Sequence, residues 1–401
     1  MATNLQRIDD RQRRARLARR HHLAGTARAT DVVTVAGDLV GLHGSDPASV
    51  FLSTWPRLKK PAVTVPALEE ALYGERTLVR TLCMRRTMFV VPVGLVPVVQ
   101  AAVTEALVPG ERRRTVQMIE QAGVAADGAA FLATLEEDTL AELRHRQEAT
   151  GAELGKAVAG LHHQIPVGEG KTWAGTIGLS TRVLFLLATA QQIVRGRPKG
   201  SWTSSQYRWS PIEAWLPGGV AIMDPALARA ELVRRYLASF GPATTDDIKW
   251  WTGWTVAHTR AALAAVGAAE VALEEATPSG WVLPGDLEPI RSPAPWVALL
   301  PSLDPSTMGW RQRNWYLGDH GPDLFDRNGN AGPTVWMDGR IVGGWAQRRS
   351  GEIVHRLLED VGAEAAAAVA ATAADLEHWL GPMRITPRFP TPLQKALAAK
   401  A

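Results

Sequence analysis

One arrangement recurs three times along this chain: a few helices, then a two-stranded hairpin. The clearest copy is Leu227–Pro284, where Leu232, Val233, Tyr236, Leu237 and Phe240 recur at helical spacing. Gly241-Pro242 ends that helix, and Thr245, followed by two acids, starts a short second one. Thr255 can cap a third, through "VAHTRAALAAVG". "AEVALEE", the turn "ATPSG" and "WVLPG" then read as a hairpin. Three helices plus a hairpin make a winged helix.

The second copy is Ala130–Pro217. A helix runs through "FLATLEEDTLAELRHR", and Thr150 with Glu153 forms a capping box for the next. "TIGLSTRVLFLLATAQ" gives the third, with Leu179, Val183 and Leu186 on one face. The wing, "QQIVRGRPKGSWTSSQYRW", is expected to turn at Gly196 to Gly200 and to return through Ser205-Tyr207-Trp209. The first copy, Ile8–Pro92, leads with a basic helix and ends on the hairpin "TLVRTLCMRRTMFVVP", whose turn offers Arg85 and Arg86. Inside it lies "GLHGSDPASVFLSTWPRL". Pro47 suits a first helical position, and Asp46 before it suits an N-cap.

From about Pro295 the pattern changes to short β-rich runs: "PWVALLPSLDP", "PTVWM", "RIVGGWAQ" and "EIVHRLLED". Asp338-Gly339 is a tight-turn signal between two of them. The alanine-rich "GAEAAAAVAATAADLEHWL" predicts a helix, and "RITPRF" a last strand. The expected fold class is α+β: three tandem winged-helix domains, then a C-terminal β-barrel-like domain with one helix. The boundaries are 1–120, 121–222, 223–290 and 291–401. The 15 tryptophans sit mostly at strand or helix positions and are expected to pack rather than stack on bases.

Charge points to a partner. The net charge is +4, and seven arginines crowd the first twenty residues against Asp9 and Asp10. Further clusters are Arg57-Lys59-Lys60, Arg85-Arg86 and Arg195-Arg197-Lys199. Arginines on loops and helix ends suit phosphate contacts. The wing tip adds the hydroxyls of Ser201 and Thr203. The expected DNA-binding set is Arg57, Lys59, Arg85, Arg86, Arg195, Arg197, Lys199, Ser201 and Thr203. Cys83 is the single cysteine, so neither an internal disulfide nor a Cys-built zinc site is available. His162 and His163 have no acidic or Cys partner at ligand spacing, so no metal and no cofactor are expected. The N-terminus lacks the apolar core of a signal peptide, and no apolar run is expected to span a bilayer, so a cytoplasmic chain off the membrane is expected.

The runs "LVGLHGSDP", "LVRTLCMRRTMFVVP", "RGRPKGSWTSSQYRW", "LLPSLDPSTMGW", "FDRNGNAGPTVWMDGRIVGGWAQ" and "ITPRFPTPL" together resemble a superfamily of bacterial winged-helix DNA glycosylases. It includes azinomycin-resistance glycosylases and alkylpurine DNA glycosylases. The resemblance implies a monofunctional enzyme that hydrolyses the N-glycosidic bond of N7-alkylated guanine in double-stranded DNA, for repair or antibiotic self-resistance; a monomer is expected. The family's catalytic pair is Gln-x-Gln or Gln-x-Asp. His43 and Ser45 stand at the matching positions here, with Asp46 directly after them. The resemblance thus implies His43, Ser45 and Asp46 as catalytic: an imidazole to take a proton from water, a hydroxyl to hold that water, a carboxylate to supply an anionic field. Asp304 in "PSLDPSTMGW" is a recurrent family feature expected to be structural. The competing expectation is a non-catalytic winged-helix DNA-binding protein, a regulator or damage binder, since fold does not fix function.

Overall fold

Side-chain caps open helices where the sequence marks them. Asp9 accepts the Gln12 amide and starts Asp10–Arg20 (α1), and Asp31 accepts the Thr34 amide and starts Val32–Asp38 (α2). Asp46, followed by Pro47, starts Pro47–Thr54 (α3). Thr150 with Glu153 and Thr244 with Asp247 form full capping boxes, and Thr255 caps Val256–Ala265. The computed structural model describes residues 5–60, 64–168, 170, 174–274 and 279–399. The chain forms two compact units, one of Met1–Glu69 with Arg229–Ala401, the other of Glu70–Ala228.

In the Glu70–Ala228 unit two hairpins share one sheet. Leu78–Leu82 pairs antiparallel with Met88–Pro92, and Ile193–Pro198 with Tyr207–Pro211. The hairpins join where Arg80 lies opposite Arg195, and Ala149–Thr150 adds a strand beside Tyr207–Pro211. Helices Gly128–Arg146 and Leu179–Thr189 bury Leu132, Leu135, Leu143, Val183 and Leu186 in one apolar core. Each such side chain contributes roughly 1.5–3 kcal/mol. The second hairpin is longer than expected. Its outgoing strand runs through Gly196 to Pro198, and the return begins only at Tyr207. Gly196 is there for close approach, since a Cβ would sit 3.1 Å from the Ser210 hydroxyl. The helix expected from "TIGLST" onward starts at Leu179, because Gly175–Gly178 pairs with Gln164–Val167.

One helical run in this unit, Val93–Gln121, is long enough to cross a membrane and holds an 18-residue window of mean hydropathy 1.5, which the sequence reading did not expect. It is broken by a π turn at Gln100–Thr104 and a 3-10 turn at Glu105–Leu107. Val96, Val99 and Ala102 are buried within the unit.

In the other unit, Ala269–Leu273 and Gly280–Val282 form the third hairpin; its expected turn falls largely on 275–278, outside the described residues. Arg7–Ile8 adds a parallel strand to it, and Ala243–Thr244 pairs on the other side. The C-terminal strands Val297–Leu300, Thr334–Met337, Arg340–Gln347 and Ile353–Leu357 pair in sequence order as an antiparallel meander with two edges, in place of the expected barrel. Asp338 and Gly339 make its tight turn with φ of 48° and 85°. The predicted helix is present as Ala363–Leu380. "RITPRF" is not a strand; Pro387 sits within it and Pro390 directly follows, and proline cannot donate to a ladder. A helix not expected from sequence follows, Pro392–Ala399, and buries Leu393 and Leu397. A Cβ on Gly344 would meet Leu393 at 2.8 Å, so this glycine lets the helix dock. Trp336 and Trp345 are buried, their indole N–H groups donating to Thr334 Oγ1 and the Leu300 carbonyl.

Candidate active site

The motif begins where α2 stops. The Gly41 amide donates to the Ala36 carbonyl and the Val40 amide to Gly37, a Schellman closure. Val40 occupies the left-handed position with φ 52°, where glycine is usual and a β-branched residue is strained. The chain then runs extended through Leu42–His43 and turns into α3, all of whose residues are buried.

At the far end of α3 the Arg57 guanidinium is fully buried. Its Nη2 and Nη1 donate to Asp304 Oδ1 and Oδ2 at 2.7 and 2.8 Å, and its Nε donates to the His21 carbonyl. Ser53 Oγ and the Ser306 amide also donate to Asp304. Asp304 is therefore the structural anchor expected. Arg57 is a correction: with no surface and every edge occupied, it cannot reach a phosphate. His21, beside it, shares a hydrogen bond with Ser306 Oγ; burial and then the Arg57 charge hold its pKa well below the usual value.

At the near end of α3, His43 and Ser45 are each half-buried and therefore reachable from solvent. The Ser45 amide approaches His43 Nδ1 at 3.5 Å, and the Ser45 carbonyl accepts from Arg388 Nη1 at 3.1 Å. Asp46 is different. It is 4% exposed, and its Oδ1 accepts the Ala48 amide at 3.1 Å as the helix cap. It lines a recess of about 20 Å³ with Ser49, Ser302, Gln347 and Gln394. That volume admits about one water and no sugar. Burial raises the Asp46 carboxyl pKa, and the Ala48, Arg388 and Ser49 amides and the Arg388 charge only partly oppose it. Asp46 is thus corrected from a group facing substrate to a buried cap.

Of the expected DNA contacts, Lys59 is exposed just beyond α3. Arg85 and Arg86 are exposed at their hairpin turn with φ of 53° and 59°, and Arg86 pairs with Glu111 at 2.5 Å. Arg195 is half-buried, its guanidinium 5.3 Å from the ring centres of both Tyr207 and Trp209, so it braces the hairpin rather than tipping it. Arg197 is exposed over Tyr73, Lys199 is exposed, and Ser201 Oγ lies 2.8 Å from Thr203 Oγ1 on the same loop. Sequence reasoning passed over Arg388, an exposed arginine whose side chain holds the motif backbone. Its available signal was its place in a proline-broken run, which no ladder can absorb. Among the described residues no group of three or more His, Cys, Asp or Glu side chains could hold a metal.

The fold is similar to that of a solved structure, the Streptomyces sahachiroi DNA glycosylase AlkZ, with TM-score 0.69 and 18% identity over 92% of this chain and 98% of that one. No curated protein matches the sequence. Residues 36–379 match the family model described as DNA glycosylase AlkZ-like. The class is thereby set as a DNA glycosylase, an enzyme of DNA repair. The chain belongs to the AlkZ-like DNA glycosylase family.

Proposed function

We propose that this glycosylase removes N7-alkylated guanine, bulky natural-product adducts included, from duplex DNA and leaves an abasic site. The observation that carries the reading is the half-exposed His43–Ser45 pair, set at the start of a buried helix where the resemblance puts the family's catalytic pair. An N7-alkylguanine carries a positive charge on its purine. The C1′–N9 bond breaks with its electron pair going to that ring, so the base leaves neutral and needs little acid help. The sugar becomes oxocarbenium-like, and water must reach C1′. His43 takes a proton from that water as its oxygen bonds C1′, and Ser45 Oγ holds it in place. Lys59, Arg85, Arg86, Arg197, Lys199, Ser201 and Thr203 supply phosphate contacts, which position the duplex without reading sequence.

The helix-and-hairpin units support a reading as three winged helices within residues 1–120, 121–222 and 223–290, followed by the C-terminal β domain of 291–401. We take the enzyme to act as a cytoplasmic monomer. Incubation with duplex bearing 7-methylguanine should release the base and leave alkali-labile strands. If this chain yields neither while a family relative yields both in the same assay, the reading is lost.

A further inference from the structure

The last turn of α1 and the helix Pro225–Phe240 enclose an open cleft of about 520 Å³ that the mechanism above does not use. Arg19 and Arg20 line it from α1, and Arg234, Arg235 and Ser239 from the second helix. Asp38 is the one carboxylate of the lining, and His22 Nε2 lies 2.8 Å from it. Four arginines and one carboxylate thus line it, and Asp286 and Glu231 outside the lining pair with three of the arginines. Their partners leave donors over. Arg234 grips Glu231 with Nε and Nη2 at 2.7 Å, which leaves Nη1 unused among the described residues. Arg20 is tied to the Gly241 carbonyl and to Asp286, and Arg235 to Glu231. The exposed Arg19 side chain has no partner among the described residues. Ser239 is the second, independent sign. It is 4% exposed, it lines the cleft, and its hydroxyl has no hydrogen-bond partner among the described residues. A buried hydroxyl left unpaired is costly, and an oxyanion in the cleft would satisfy it.

We propose that this cleft is a phosphate-binding site, and that its occupant is a backbone phosphate of the DNA. Arginine forks match two phosphate oxygens at once, and a buried hydroxyl can donate to a third. The site extends the grip on substrate beyond the wing arginines. It rests on the reading of the chain as a DNA-acting enzyme, but not on which adduct is excised.

The test uses the full chain and undamaged duplex, with affinity measured by fluorescence anisotropy across a salt series. Arg19→Ala with Arg234→Ala should weaken binding and flatten the slope of log K against log salt by roughly 1–2. Ser239→Ala changes no charge. It should weaken binding roughly two- to tenfold and leave the unfolding midpoint unchanged or raised, because the lost hydroxyl has no partner among the described residues. Wild-type affinity and slope in both variants overturn the proposal. So does a second pattern, in which inorganic phosphate raises the unfolding midpoint of the wild type alone while all three proteins bind duplex equally; the occupant is then a small anion. Failure of base release with these binding losses intact sinks the excision reading and leaves the cleft standing. Base release with wild-type binding in both variants does the reverse.

Discussion

His43 and Ser45 are reachable, and Asp46 is not; that difference separates the two residues proposed for the chemistry from one that caps a helix. His43→Ala should lower single-turnover excision by roughly 10²–10⁴, the range of a general base, while duplex affinity stays within about twofold. An affinity loss as large as the rate loss would make His43 a binding residue instead. Asp46 gives a prediction about pH. Its carboxyl pKa is raised in the folded protein, so the folded state holds that proton more tightly than the unfolded chain does. Its contribution to stability is therefore complete below the unfolded value and is lost as pH rises through the folded one. Asparagine caps a helix about as well and carries no charge. Asp46→Asn should match or exceed wild-type stability at pH 7, and lose any advantage at the acid end, as read from urea unfolding at several pH values. A large loss of excision in this variant would return Asp46 to the catalytic set. The cap itself was legible, because Asp-Pro before an apolar run is a local signal. The Arg388 contact was not, since it links positions 343 residues apart.

α3 is held from both ends, by its cap and by the Arg57–Asp304 pair. The pair lies wholly inside, and Ser53, Ser306 and the His21 carbonyl occupy its remaining edges. Asp304→Ala would strand a guanidinium without a counter-charge, at a cost of roughly 3–5 kcal/mol. The check is a fall in the urea midpoint at unchanged m-value. Replacing both partners by apolar residues should cost less than the single change. Arginine clustering alone could not separate Arg57 from Lys59, two residues away, because exposure depends on a partner far along the chain. The Arg85-Arg86 turn is the opposite case. Two consecutive arginines sit at positive φ, a conformation that favours glycine or asparagine. Strain kept at an exposed basic tip fits a functional demand on those side chains. Arg85→Asn with Arg86→Gly should preserve or raise stability and weaken duplex binding, a pair of effects that denaturation and anisotropy would separate.

At the scale of the molecule, the local grammar of helices and hairpins was legible because caps and periodicity are written in neighbouring residues. Pairings across long separations left no such trace: Arg7–Ile8 beside Ala269–Leu273, and the two hairpins joined at Arg80 and Arg195. Two-residue strands are also too short to show a period. What the whole enzyme can excise follows from what the motif offers. Its His43 and Ser45 are partly exposed, and its carboxylate is buried in a cap and in a recess too small for a sugar. These groups can place and deprotonate water, but they give no acid to a neutral leaving base. On the proposed mechanism, departure then draws on charge already present in the lesion. Duplexes bearing 7-methylguanine should lose that base. Otherwise identical duplexes bearing uracil, which is neutral, should be cleaved at least about 10²-fold more slowly, the least that acid assistance commonly contributes. Time courses of free base under single-turnover conditions make the comparison. Equal rates on the two substrates would mean that an acid elsewhere protonates the base, and the mechanism built on the motif alone would fail.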